Sequence, residues 1–211
     1  MKIQGEHTFD VPRPLVWRAL LDPEVLARTL PGCEKLERTG EQSFRGALTV
    51  QVGPVKGQFQ GTLELSDLVP LEGYRMKLAG SGPAGFMNGE GTLALRDDTS
   101  GSGTTLTYDL DAQVGGKVAG VGQRLLESSA KVVTKQGLEG LGRELLALKE
   151  SEATGAPVEV PAAPSQAALA AQLAVGVAQE MVPPNKRPWL LGVVIAVLGI
   201  LGFLLVRGCG G

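Results

Sequence analysis

This chain of 211 residues holds a single histidine, His7, and only two cysteines, Cys33 and Cys209. A transition-metal centre of imidazole and thiolate has too few donors here, and a histidine-based catalytic triad has one residue to start from. The two cysteines fall in regions that read as separate, so no disulfide framework is expected and a reducing compartment fits better. Charge of one sign is lacking too: 20 Lys and Arg stand against 22 Asp and Glu, for a net charge of -2. The basic residues are scattered apart from Lys186-Arg187, so no stripe tracks a phosphate backbone and nucleic acid is excluded as a partner. Residues 1–10 alternate and carry charges, where a secretory signal needs an unbroken apolar stretch. Gly115-Gly116-Lys117 lacks both the spacing and the Ser/Thr of a phosphate loop.

What is present starts with a strand. Ile3, Gly5, His7, Phe9 and Val11 alternate with polar residues at the period of two expected of one buried face. Pro12 and Pro14 stop that strand but suit a helix's first turn, so a short helix is expected over 13–21, with Leu15, Trp17, Leu20 and Leu21 for burial. Asp22 caps a second helix over 23–30, which Pro31-Gly32 ends. From Glu34 onward, antiparallel strands follow one another. Their inward sets are Phe44, Gly46, Leu48, Val50 and Val52; Phe59, Gly61, Leu63 and Leu65; Tyr74, Met76, Leu78, Gly80 and Gly82; Gly91, Leu93 and Leu95; and Leu106, Tyr108, Leu110, Ala112 and Val114. A Gly/Ser-rich connection spans 97–103. One face is apolar and the other polar, as in a single curved sheet wetted on one side.

Residues 118–149 supply apolar positions at helical spacing, from Val118 and Leu125 to Leu145 and Leu148. Gly120, Gly122, Gly137, Gly140 and Gly142 weaken that helix by about 1 kcal/mol each relative to Ala, so packing on the sheet must support it. The fold expected is α+β: a curved antiparallel sheet wrapped on a long C-terminal helix.

Asp22-Pro23-Glu24, Pro31-Gly32-Cys33 and the patch Asp111-Ala112-Gln113-Val114-Gly115-Gly116-Lys117 occur in an order that resembles the CoxG-like family, named for the G subunit of carbon monoxide dehydrogenase. That family is a branch of the START-like helix-grip (SRPBCC) superfamily, and the likeness covers residues 1–149. It implies a helix-grip domain, a quinone or lipid as ligand, and a molybdenum-containing carbon monoxide dehydrogenase or related hydroxylase as partner.

Glycines among the inward side chains admit two readings: they leave room for a ligand, or they let a coiled sheet bend. The helix-grip resemblance favours the cavity. Its candidate lining is His7, Phe9 and Trp17, then Phe44, Leu48, Phe59, Gly61 and Leu63, then Met76, Gly80, Leu93 and Tyr108, closed by Leu125 of the long helix. These inward positions offer no acid–base pair and no cofactor is called for. His7 between Gly5 and Phe9 reads as a packed core residue, and Cys33 as a small apolar one. A non-enzymatic binding protein is therefore expected, with a lipid-transfer module or a cyclase- or hydratase-type enzyme as alternatives.

Past the domain, residues 150–188 are rich in Ala and Pro, with a short helix expected over 165–181. Residues 189–206 carry no charged or strongly polar side chain and would make a helix roughly 27 Å long, close to the roughly 30 Å of a bilayer core. Trp189 suits the interface, Lys186-Arg187 and Arg207 bracket the run, and residues 207–211 end the chain. This reads as a tail anchor in the cell membrane. The extra cation on the Lys186 side places the folded domain in the cytoplasm.

Overall fold

The computed structural model describes residues 1–99 and 101–154. Its elements are β1 (Lys2–Phe9), α1 (Arg13–Leu21), α2 (Pro23–Thr29), β2 (Cys33–Arg38), β3 (Ser43–Val52), β4 (Val55–Val69), β5 (Gly73–Gly82), β6 (Gly85–Asp97), β7 (Thr104–Gly115), a 3-10 turn (Ala119–Val121) and α3 (Gln123–Thr154). All seven strands form one antiparallel sheet in the order β1-β7-β6-β5-β4-β3-β2. The chain is thus α+β, a meander from β2 to β7 with β1 returning to pair with β7. Two successive hairpins turn tightly. Val52 pairs with Val55 across Gly53-Pro54, where Gly53 takes the left-handed φ of 57°, and Gly82 pairs with Gly85 across Pro83-Ala84.

The N-terminal helices form where the prolines and the Asp cap place them. Pro12 stands at the N-cap of α1, and Asp22 Oδ1 accepts from the backbone N–H of Glu24 at 2.8 Å at the start of α2. Gly32, at φ 75°, follows α2 and lies against β3; the Thr49 N–H donates to its carbonyl at 2.8 Å. A Cβ at Gly32 would stand 2.2 Å from the Thr49 carbonyl oxygen, so this close approach requires glycine.

The long helix differs from expectation at both ends. It begins at Gln123, because Gly122 adopts φ 96° and breaks the ladder after the 3-10 turn. It runs on to Thr154, into residues expected to be linker. Glycine at 140 has a packing purpose: a Cβ there would meet the Thr29 carbonyl oxygen at 3.0 Å, so its absence lets α3 settle against the end of α2. Among the described residues no helix is long and apolar enough to cross a membrane. The expected span 189–206, the helix over 165–181, and Lys186, Arg187, Trp189, Arg207 and Cys209 all lie outside the described residues.

Candidate ligand-binding cup

The inward face of the sheet divides into two halves. Toward α1 and α2 it is a solid core in which Phe9, Val16, Leu20, Phe44, Leu65, Tyr74, Leu93, Leu106, Leu141 and Leu145 are buried together. Three expected lining residues, Phe9, Phe44 and Leu93, belong to this packed end. Trp17, Leu63, Met76 and Tyr108 pack against it while half-buried, and form the floor between the halves. The Trp17 and Tyr74 rings lie 6.0 Å apart, tilted by 59°.

Toward the hairpin tips the inward apolar side chains are only half-buried. Leu48 and Phe59 are in this state, and so are Val50, Leu78, Met87 and Leu110, which share their parity on the sheet. The sequence alternation that selects the first two points to the others as well, although the expected lining omits them. Leu125 reaches this end, its Cδ2 lying 2.9 Å from where a Cβ on Gly53 would stand.

The glycines do not all leave room. Tyr108 lies across Gly5, its hydroxyl 2.6 Å from a Cβ built there, and Leu36 covers Gly46. At Gly61 a Cβ would meet the Ala79 carbonyl oxygen at 2.6 Å, so this glycine serves the coiling of the sheet. Gly80 is different: the nearest atoms are the carbonyl oxygens of Gln60 and Met87, at 3.7 and 4.0 Å, and the space above it is free. Gly61 and Gly80 also floor an open groove of about 430 Å³ on the outer face, beside Arg45, Gln60, Thr62, Ser81, Phe86 and Asn88, a feature that sequence reasoning missed.

Three connections meet at the rim of the open half. The β3–β4 turn touches Leu125, and the N–H of Val118 donates to the Ala84 carbonyl of the β5–β6 turn at 2.8 Å. Here a cleft of about 680 Å³ opens, lined by Val121, Gly122, Gln123, Arg124, Leu125 and Glu127.

Several titratable side chains lie in or beside the cup and the core below it. The His7 ring packs against Phe9, with centroids 4.8 Å apart and planes tilted by 60°. Burial pushes the Tyr74 and Tyr108 phenols above their ordinary range, which keeps them neutral. Burial likewise raises the Cys33 thiol, only partly offset by a backbone hydrogen bond at Lys35, and the nearby Glu34 charge raises it further, so the nucleophilic thiolate is disfavoured. The buried carboxylate of α3, Glu144, is occupied by Arg28. Among the described residues no group of three or more His, Cys, Asp or Glu side chains converges to hold a metal ion.

A curved seven-stranded antiparallel sheet gripping one long helix, with an apolar half-open interior, places the chain in the class of helix-grip proteins. Solved structures share that form. A conserved protein from Geobacillus kaustophilus is 32% identical, with a TM-score of 0.66 over 72% of this chain and 97% of its own. The protein TTHA0849 from Thermus thermophilus is 22% identical, with a TM-score of 0.55 over 70% of this chain and 99% of its own. The Zhui aromatase/cyclase from Streptomyces sp. R1128, 19% identical over 75% of this chain and 99% of its own, has a TM-score of 0.52 and shares the fold. Comparison with curated protein sequences gives no match. The chain belongs to the CoxG family, that of the carbon monoxide dehydrogenase G subunit, which it matches over residues 5–145.

Proposed function

We propose that this protein is a membrane-anchored, non-enzymatic carrier that holds a quinone or lipid in its cup and recruits a carbon monoxide dehydrogenase-like molybdenum hydroxylase to the membrane. The observation that carries the reading is the half-buried state of Leu48, Val50, Phe59, Leu78, Met87 and Leu110, all on the inward face and outside the packed core. Fully burying such side chains from water is worth about 1.5–3 kcal/mol each, and an apolar guest laid against them gains the share that is still exposed, up to about a third of that. Family membership supports the link to the dehydrogenase. The neutral phenols, the protonated thiol and the engaged Glu144 support binding without turnover. The apolar run 189–206 supports the anchor, and the flanking cations a domain on the cytoplasmic side.

The deciding experiment is mass spectrometry of apolar molecules retained by the purified full-length protein, together with their turnover by it. A retained quinone or lipid that emerges unchanged supports the carrier. Chemical conversion of the guest refutes the non-enzymatic part, and a protein that retains nothing and takes up no added quinone refutes the cup.

A further inference from the structure

We infer that the recruited hydroxylase docks on the outer face of the sheet, in an uncharged band centred on Phe86 and Arg45. The proposal deepens the recruitment reading and rests on it. Its basis is how charge is divided over that face. Cross-strand pairing places Glu64, Lys77, Glu90 and Asp111 side by side in one row from β4 to β7, with Lys77 and Glu90 3.6 Å apart. Farther from the hairpin tips, Arg75 with Asp67 and Arg96 with Glu6 continue the charged half. Toward the tips the charges stop. One row there is Arg45, Thr62, Ala79, Asn88 and Gln113, and the next is Ala47, Gln60, Ser81, Phe86 and Gly115, so Arg45 is the single charged residue of the two. On edge strand β2 these rows end in Glu37 and Lys35, which pair with each other at 2.9 Å.

Phe86 is held in place within this band. Its cross-strand partner is Gly115, and a Cβ there would stand 2.3 Å from the ring's Cε1 and 2.4 Å from its Cζ, so the ring lies over Gly115 in the room that the missing side chain leaves. It remains 46% exposed, and Arg45 lines the same open groove of about 430 Å³. A braced aromatic ring and an arginine in a patch otherwise depleted of charge have the composition of an interface centre, where aromatic residues and Arg are enriched and Lys, Asp and Glu are depleted.

Charge and area together select the occupant. Arg45 calls for a carboxylate, and the two rows contain none; a second copy docking by the same patch would bring two arginines together, with the nearest acid, Glu37, already engaged by Lys35. The groove is open along the sheet, so a small molecule would stay largely in water, whereas small-molecule sites bury most of their ligand. A different protein fits, one that sets a carboxylate on Arg45 beside an apolar side chain on Phe86. Five strands about 4.8 Å apart and two rows about 7 Å apart make a patch of roughly 300 Å², well under the roughly 800 Å² that each partner of a stable complex buries. Such a contact belongs with the weak, short-lived complexes of redox partners, which suits a carrier that must meet its enzyme repeatedly. Docking on the outer face also leaves the cup, on the inward face of the same strands, unobstructed.

The test uses the full-length protein in its native host. Asn88 in the band or Thr92 in the charged half is replaced by the photo-crosslinker benzoylphenylalanine, and the adducts formed in cells are identified by mass spectrometry. Position 88 should couple to a subunit of the molybdenum hydroxylase, and position 92 should not. Phe86→Ala and Arg45→Gln should each weaken binding of the purified hydroxylase at least about tenfold. Leu146→Ala and Arg75→Gln, which remove an exposed apolar side chain and an exposed cation elsewhere, should leave it within about twofold of the parent. Uptake of a soluble short-chain quinone by Phe86→Ala and Arg45→Gln should match the parent, because neither residue faces the cup. If Phe86→Ala does not fold, Arg45→Gln and the contrast between positions 88 and 92 decide. Equal hydroxylase adducts from both positions overturn the docking surface, as does an adduct from position 88 with a second copy or with residues 155–211. Hydroxylase that binds the band variants as it binds the parent ends this surface and leaves recruitment standing. Hydroxylase that associates with no form of the protein ends recruitment, and this surface with it.

Discussion

The Arg28 guanidinium on α2 grips the carboxylate of Glu144 on α3, its Nε donating to Oε1 at 2.9 Å and its Nη2 to the same oxygen. Glu144 is only 4% exposed, whereas Arg28 keeps a solvated side at 39%. This pair clamps the long helix over the closed end of the cup, beside the contact that Gly140 makes with Thr29.

Arg28→Ala should therefore cost more than removal of an ordinary surface ion pair. It leaves a carboxylate buried without its partner, a loss of about 3–5 kcal/mol for a fully buried pair and about 2–3 here, given the solvated side of the arginine. Glu144→Gln, which removes the charge, should cost less, and Arg28→Leu/Glu144→Leu should recover much of the loss. Urea unfolding curves decide it; an Arg28→Ala variant as stable as the parent shows that the clamp does not hold α3.

Alkaline titration gives a second check. The chain has two tyrosines, Tyr74 and Tyr108, and burial raises both phenols. A phenol whose folded pKa lies above its unfolded value of about 10 opposes folding once the unfolded form ionises: its neutral form is equally protonated in both states below pH 10, and stability is lost as pH rises from there toward the folded value. Little phenolate absorbance should develop near pH 10, Tyr108 should ionise before the deeper Tyr74, and the Tyr74 signal should rise with unfolding. Tyr74→Phe should flatten the alkaline loss of stability. A full two-tyrosine titration centred at pH 10 in the folded protein contradicts this burial.

Gly80 and Gly61, adjacent in the β4–β5 pairing, should respond differently to added side chains. Gly80→Leu has free space at its Cβ and should fold, fill the cup and reduce quinone uptake at least several-fold. Gly61→Ala drives a Cβ against the Ala79 carbonyl and should destabilise the sheet by about 1–3 kcal/mol without occupying the cup. Uptake assays beside thermal melts separate the two; a folded Gly80→Leu protein that binds as the parent does removes Gly80 from the lining.

The contrast between those glycines shows what the sequence could convey. Period-two alternation put Phe59, Gly61, Leu63 and Leu65 on one face, and the structure has them there. The Asp22 cap and the proline-started helices were equally legible, because each is decided within a few residues. Whether a glycine opens space or relieves a close approach depends on the neighbouring strand. Nothing local distinguishes Gly80 from Gly61, or reveals that Tyr108 fills the gap over Gly5. The division of the inward face into packed and open halves was hidden for the same reason: Phe44 and Leu48 share one strand and one parity, and only α1, α2 and the late turns of α3 decide which is covered.

The anchor proposed at 189–206 leads to a prediction about the whole chain. The full-length protein should fractionate with membranes and resist carbonate extraction, while the chain ending at Thr154 should be soluble without detergent. Hydrophobic length governs insertion more than residue identity, so an unrelated apolar helix of about 18–20 residues should replace 189–206 without loss of localisation. If recruitment is the function, a partner captured with the domain should follow the anchor: membrane-bound with the native or exchanged helix, released when residues 186–211 are deleted. Carbonate release of the full chain would dispose of the anchor. A partner that remains on the membrane after the deletion, or no partner above background with domain and full chain alike, would dispose of recruitment and leave lipid handling at the cup as the function to pursue.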